Sequence, residues 1–117
     1  MSRLLVIDDD DTFLDFLERT LTLMGYRVKI AHDGEEAIKI LRYGYNFELI
    51  ITDILMSNVD GIAVAQYIRS SDKADTPIVA ITGDINIVNN KLFNSILIKP
   101  FKVKELIAVI KSLIKNT

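Results

Sequence analysis

Residues 49–61 read LIITDILMSNVDG, an apolar run that ends in an aspartate and a polar loop. Such a run, bounded by turn-forming residues, predicts a buried strand over residues 49–52 with Asp53 at its carboxyl end. In open α/β sheets, ligands bind at this edge. Asp60 and Gly61 are expected to close the loop, and Gly61 is able to adopt a positive φ. The pattern also fits a plain strand-to-helix turn, so the rest of the chain must decide whether Asp53 belongs to a site.

Length and composition exclude several classes of protein. The chain has 117 residues, of which 50% are hydrophobic and 26% are charged, and its net charge is −2. These values suit one globular domain over residues 1–117, and we expect no output domain. The weak net charge gives no basic surface for nucleic acid, and the absence of cysteine excludes disulfides and thiolate metal sites. No apolar run approaches the ~20 residues of a membrane span.

Strand and helix patterns alternate along the chain. Besides the central strand, buried strands are predicted at residues 4–7, 26–31, 78–81 and 95–98, and helices at residues 12–24, 35–43, 62–70 and 103–114. Fully apolar strands that alternate with helices predict a parallel sheet covered by helices on both faces. The fold class is therefore predicted to be doubly wound α/β.

Polar side chains follow four of these strands. Asp8 and Asp9 come after the first, Asp53 after the central one, Thr82 after the fourth and Lys99 after the fifth. Because the carboxyl ends of parallel strands share one edge, we expect these side chains to converge. Three close carboxylates resist joint ionisation, and oxygen donors favour Mg²⁺, with Mn²⁺ also suitable, over zinc. A lysine and a hydroxyl beside them supply the parts for phosphoryl transfer to an aspartate nucleophile.

The chain resembles the receiver domains of two-component response regulators over its whole length. The motifs that carry the resemblance occur in order at receiver-like spacing: LLVIDD at residues 4–9, residues 53–61, Ile81-Thr82-Gly83, Lys99-Pro100-Phe101, and also Gly25 and Asp33-Gly34. The resemblance implies a flavodoxin-like sheet of order 2-1-3-4-5 with five helices. It also implies a phosphorylation-dependent signalling switch, in which a sensor histidine kinase or a histidine phosphotransfer protein donates a phosphoryl group to Asp53.

The same resemblance implies roles for the other site residues. Asp9 and Asp53 would ligate Mg²⁺ directly, with the backbone carbonyl of Leu55, and Asp8 would hold the metal through water. Thr82 and Lys99 would contact the phosphoryl oxygens. Such a domain catalyses only its own phosphorylation and dephosphorylation, so we expect no enzyme in the ordinary sense. We further expect a cytoplasmic chain, monomeric or weakly dimeric, that binds an unidentified downstream protein and neither nucleic acid nor a membrane.

Several positions depart from the family pattern. Ser57 replaces a usual proline, Ile96 replaces a frequent aromatic residue, and Leu92-Phe93 replaces a usual Gly-Ala pair. The segment between the threonine and the lysine of the site is also several residues shorter than usual and rich in asparagine, a poor helix former. We therefore predict that the family's fourth helix, over residues 83–94, is short or irregular. Pro100 is expected to follow a cis peptide, as in the family.

Two other interpretations stay open. A degenerate receiver would act as a constitutive protein-binding module, which Ile96 and the short segment favour and the intact acidic site opposes. Alternatively, residues 8–12 (DDDDT) fit the Asp-x-Asp-x-Thr pattern of haloacid-dehalogenase-like phosphatases, with Asp8 as nucleophile and Asp10 as acid/base. The chain is short for that family, and the Asp53 loop would be unexplained. Otherwise Asp10 and Asp11 are predicted to start a helix, and His32 to be a surface residue without a role.

Overall fold

The structure, a computed structural model, describes residues 2–84, 86 and 91–114. Over these residues the chain forms β1 (Arg3–Ile7), α1 (Asp11–Leu23), β2 (Arg27–Ala31), α2 (Gly34–Arg42), β3 (Leu49–Asp53), α3 (Gly61–Arg69), β4 (Ile78–Thr82), β5 (Ser95–Ile98) and α4 (Val103–Leu113). Each of these boundaries lies within one residue of its prediction. None of the helices in the described residues is long and apolar enough to cross a membrane.

The five strands form one parallel sheet of order β2-β1-β3-β4-β5, which confirms the predicted order. The strands β3 and β4 are buried along their whole length, whereas Arg27 and Lys29 of the outer strand β2 are exposed. In the register of the sheet, Asp53 lies opposite Ile81, and Thr82 lies opposite Ile98. The carboxyl ends of β1, β3, β4 and β5 therefore meet along one edge.

Alternate strand residues build two cores, one on each face of the sheet. Leu5 and Ile50 pack with α2 and α3 on one face, and Leu4 and Ile51 pack with α1 and α4 on the other. Each fully buried leucine or isoleucine contributes about 1.5–3 kcal/mol. This two-sided packing makes the sheet a rigid platform for the side chains at its carboxyl edge.

Aspartates cap three of the helices. The side chain of Asp10 accepts from the N–H groups of Thr12 and Phe13 at the start of α1, so the predicted role of this acid at the helix start is confirmed. Asp33 caps α2, and Asp60 caps α3 with a 2.8 Å hydrogen bond from the N–H of Ala63. Because the caps fix where these helices begin, they also fix the loops that surround the sheet edge.

Gly61 does not use the positive φ that a glycine can adopt. The positive φ in this loop falls on Asn58, at 64°, while Gly61 begins α3. Its small size is required for another reason: a Cβ atom there would lie 2.2 Å from the carbonyl oxygen of Asp53. The N–H of Gly61 also donates to the carbonyl of Ile54 at 3.0 Å. The start of α3 therefore presses directly against the backbone of Asp53.

The end of the segment that precedes β5 is fixed to α3 by Arg69. Its guanidinium donates hydrogen bonds of 2.6–3.1 Å to the carbonyls of Ala74, Thr76 and Leu92 and to the side chain of Asn94. A separate prediction concerns the helix that receivers usually form between β4 and β5, here residues 83–94. It states that this helix, which is not α4, is short or irregular. Residues 85 and 87–90 of this segment lie outside the described residues, so that statement stays a prediction.

Candidate functional site

Three carboxylates gather at the carboxyl edge of the sheet. Asp8 and Asp9 follow β1, and Asp53 is the last residue of β3. Oxygen atoms of the three side chains lie within 4.8 Å of one another. Asp8 and Asp53 are only 1% and 8% exposed, whereas Asp9 faces solvent. The cluster therefore consists of two buried acids, Asp8 and Asp53, and one exposed acid, Asp9.

Burial raises the pKa of each of the two buried acids. Desolvation raises the pKa of Asp8 from 3.8 to about 6; a hydrogen bond from the N–H of Asp10 lowers it, and the neighbouring charge of Asp53 adds to the increase. That hydrogen bond is 2.9 Å long. Desolvation also raises the pKa of Asp53, against the opposing charge of Lys99. These acids ionise together at low cost only when a cation joins them.

Lys99 supplies one positive charge to the cluster. Its Nζ lies 3.7 Å from Oδ2 of Asp8 and 3.7 Å from Oδ2 of Asp53. The backbone N–H of Lys99 donates to the carbonyl of Thr82 at 2.8 Å, and a cis peptide precedes Pro100, as expected. Three carboxylates and one ammonium leave two negative charges without compensation. That balance and the oxygen-only donors suit one divalent ion of the Mg²⁺ type.

Thr82 and Leu55 lie at the border of the cluster. Thr82 is fully buried at the end of β4, and its Oγ1 accepts a 3.0 Å hydrogen bond from the N–H of Asp84. The N–H of Leu55 points to Oδ1 of Asp53 over a long 3.4 Å, and the Leu55 side chain is 60% exposed. The structure thus gathers the three aspartates, places Lys99 beside Asp8 and Asp53, and puts Thr82 at the neighbouring strand tip.

The remaining polar residues singled out in the sequence lie outside the cluster. Asp10, the acid/base of the phosphatase interpretation, is occupied as the cap of α1. His32 is exposed at the surface, where its Nδ1 lies 2.9 Å from Oδ1 of Asp11. Neither arrangement provides a second site for hydrolysis.

Sequence reasoning missed one residue of the site, Phe13. Its ring lies under the Lys99 ammonium, with 4.4 Å between Nζ and the ring centroid. Phe13 is one of several apolar residues in α1, and helical periodicity alone gives it no role beyond packing. No signal in the sequence pairs residue 13 with residue 99, because only the parallel sheet brings the two chain segments together.

Fold and site together define the class of protein: a doubly wound α/β domain with an oxygen-only acidic cluster and one lysine at the switch point of its sheet. The family model described as "Response regulator receiver domain" matches residues 4–111. The chain belongs to this family, whose members are signalling regulators of two-component systems.

Curated relatives and solved structures agree with the family. The "Probable transcriptional regulator ycf27" of Cyanophora paradoxa is 37% identical over 98% of this chain and 49% of its own length. The "Response regulator MprA" of Mycobacterium ulcerans is 32% identical over 98% of this chain and 51% of its own length. The crystal structure of the response regulator TrrA from Thermotoga maritima, in complex with Mg²⁺-BeF, superposes with a TM-score of 0.88 at 33% identity, covering 97% of this chain and 99% of that chain.

The chain spans about half the length of the curated relatives that it matches. The similarity to them therefore concerns the receiver part of those proteins.

Proposed function

We propose that this receiver is a phosphorylation-dependent switch that accepts a phosphoryl group on Asp53 from a phosphohistidine. The observation that carries the proposal is the placement of the Asp53 carboxylate, next to two further carboxylates and 3.7 Å from the Lys99 ammonium. In the transfer, an oxygen of Asp53 forms a bond to phosphorus as the P–N bond of the donor breaks. The electron pair of that bond leaves with the imidazole of the donor histidine.

The acidic cluster fits Mg²⁺, and this ion would supply charge neutralisation for the transferred group. Asp9 and Asp53, with the carbonyl of Leu55, would hold the ion directly, and Asp8 would hold it through water. The raised pKa of Asp8 supports this assignment, because a buried carboxylate that ionises reluctantly gains from a bound cation. The TrrA structure, which contains Mg²⁺-BeF, offers a precedent within the family.

Lys99 and Thr82 would contact the transferred group itself. The Lys99 ammonium already lies beside Oδ2 of Asp53, where it would neutralise a phosphoryl oxygen. The Thr82 oxygen accepts from the N–H of Asp84, and a hydroxyl that accepts one hydrogen bond can still donate its own proton. We infer that this proton turns to a phosphoryl oxygen when Asp53 is modified.

The donor would be a sensor histidine kinase or a histidine phosphotransfer protein, and the exchange would take place in the cytoplasm. We propose that the modified receiver binds a downstream protein, without direct contact with nucleic acid or membrane, as a monomer or weak dimer. The chemistry is confined to the receiver's own phosphorylation and dephosphorylation. Family membership supports these assignments by analogy.

Intact mass spectrometry after incubation with acetyl phosphate tests the proposal. Wild type should gain one phosphoryl group in the presence of Mg²⁺ and none in its absence, and Asp53→Asn should gain none. Asp11→Asn is the matched control, because it removes an acid of the same run that faces solvent outside the cluster. It should be phosphorylated as wild type is.

Two results would contradict the proposal. Phosphorylation that persists in Asp53→Asn would assign the acceptor to another residue. No phosphorylation of wild type, together with no binding of beryllium fluoride in the presence of Mg²⁺, would favour the degenerate receiver that binds its partner constitutively. Beryllium fluoride matters here because it separates a dead site from one that loses its phosphoryl group before the measurement.

A further inference from the structure

We propose that Phe13 is a positioning residue for Lys99: its ring holds the ammonium in place to receive the phosphoryl group. The inference rests on the proposed function, since it assigns a task within the same site. Lys99 lies at 3.7 Å from each of two carboxylate oxygens, which is longer than a direct charge-assisted hydrogen bond of about 2.7–2.9 Å. The carboxylates alone therefore do not determine where the ammonium stands.

The Phe13 ring provides the third contact. Nζ of Lys99 lies 4.4 Å from the ring centroid, well within the ~6 Å range over which the negative face of an aromatic ring attracts a cation. The lysine side chain is 33% exposed, so water surrounds only part of the ammonium. Two carboxylate oxygens and one ring face together confine the charge between Asp8 and Asp53.

Phe13 is held through both its ring and its backbone. Phe101 meets Phe13 edge to face, with centroids 6.1 Å apart and an interplanar angle of 82°, an arrangement that fixes the ring plane. The backbone N–H of Phe13 donates to the Asp10 cap at 3.3 Å, and the N–H of Asp10 donates to Asp8. Contacts therefore run in a closed circuit from Asp8 through Asp10, Phe13 and Lys99 back to Asp8.

This circuit explains how the ammonium can serve a new partner without leaving the site. When Asp53 carries a phosphoryl group, Lys99 exchanges a carboxylate oxygen for a phosphoryl oxygen. The contact with the ring of Phe13 is independent of that exchange, because it involves neither acid. Leucine in place of Phe13 would keep apolar volume but remove the ring face, so the ammonium would spread over more positions and bind the new oxygen less well.

The test compares the affinity for beryllium fluoride with the affinity for Mg²⁺ alone in four proteins: wild type, Phe13→Leu, Phe13→Tyr and Phe16→Leu. Phe13→Leu should raise the dissociation constant of beryllium fluoride about three- to tenfold, the range expected from loss of a cation–π contact. Phe13→Tyr, which keeps the ring face, should stay near wild type. Phe16→Leu, one turn away and 47% exposed, is the matched control and should behave as wild type.

The affinity for Mg²⁺ alone separates positioning of Lys99 from general damage to the site. It should change less than about twofold in Phe13→Leu, because the metal ligands are carboxylates. Equal losses for Mg²⁺ and beryllium fluoride would overturn the proposal, and so would an unchanged Phe13→Leu or a Phe13→Tyr that fails as leucine does.

A second readout needs no phosphoryl analogue. In the metal-free protein, the ring current of Phe13 should shift the ε-methylene NMR signals of Lys99 upfield, and Phe13→Leu should abolish that shift. A wild type that binds no beryllium fluoride but shows the upfield shift would refute the proposed function and leave the contact established. Absence of the shift in wild type would overturn the role of Phe13 whatever the site binds.

Discussion

Replacing Asp8 by asparagine should stabilise the metal-free protein at neutral pH. In the folded chain, burial raises the pKa of Asp8 from 3.8 to about 6, so its ionised form opposes folding. The stabilisation from the protonated form is complete below about pH 4 and is lost as the pH rises through about 6. With 1.36 kcal/mol for each pH unit between the two pKa values, the cost at pH 7 reaches about 3 kcal/mol. Asparagine keeps an oxygen for the N–H of Asp10 and avoids this cost.

Urea unfolding in the presence of EDTA, between pH 4 and pH 7.5, measures the difference between wild type and Asp8→Asn. We expect the two curves to meet near pH 4 and to separate by up to about 3 kcal/mol at pH 7. Asp72→Asn is the control, because the Asp72 side chain is 89% exposed and its charge is therefore not buried on folding. A difference that does not vary with pH, or one in which asparagine is the less stable, would refute the reasoning.

Magnesium should remove most of the stability advantage that Asp8→Asn has over wild type. An ion that binds only the folded state adds about 2.7 kcal/mol when its concentration is one hundred times its dissociation constant. Wild type should gain this stabilisation, and Asp8→Asn should gain much less because one carboxylate of the cluster is gone. Equal stabilisation of wild type and Asp8→Asn by Mg²⁺ would exclude Asp8 from the metal site.

Further predictions concern the helix that starts beside Asp53, and urea unfolding checks each of them. Gly61→Ala should lower the free energy of unfolding by about 1–3 kcal/mol and slow phosphorylation, because its Cβ would overlap the Asp53 carbonyl oxygen. Gly44→Ala is the control: the space around its Cβ is open, and its φ is +88°. This variant should lower the free energy of unfolding by about 1 kcal/mol and leave phosphorylation unchanged. Asp60→Ala should cost about 1 kcal/mol through loss of the cap, and Asp60→Asn should restore most of it. Arg69→Lys should cost about 2–3 kcal/mol, since one ammonium cannot reach all the acceptors of the guanidinium fork; a loss below 0.5 kcal/mol would mean that water replaces these contacts.

The strands and helices followed from local patterns, whereas the order of the strands in the sheet followed only from the resemblance to receiver domains. Apolar runs such as residues 49–52 form strands because both faces of the sheet are buried, and that requirement is visible in the sequence itself. The clustering of Asp8, Asp53 and Lys99 could also be predicted, since residues at the carboxyl ends of parallel strands must share an edge.

Other features depend on distances that no local pattern encodes. From the sequence, Gly61 was interpreted as a loop residue that contributes backbone freedom. The structure instead requires a glycine there because a larger residue would overlap the backbone of Asp53. Phe13 looks like any core residue of a helix until the sheet brings Lys99 over its ring. The direction of the Thr82 hydroxyl, toward the N–H of Asp84, likewise depends on how the chain turns after β4.

The outer position of β2 bears on how copies of this chain meet one another. A strand at the end of a sheet offers unpaired backbone groups to any other extended chain, and two such edges can join into a larger aggregate. Here Arg27 and Lys29 project from that strand into solvent, so a second copy docking edge to edge would bring like charges together. At the opposite end, β5 is only four residues long and offers a short template. The sheet is thus protected from uncontrolled growth by charge on one side and by brevity on the other.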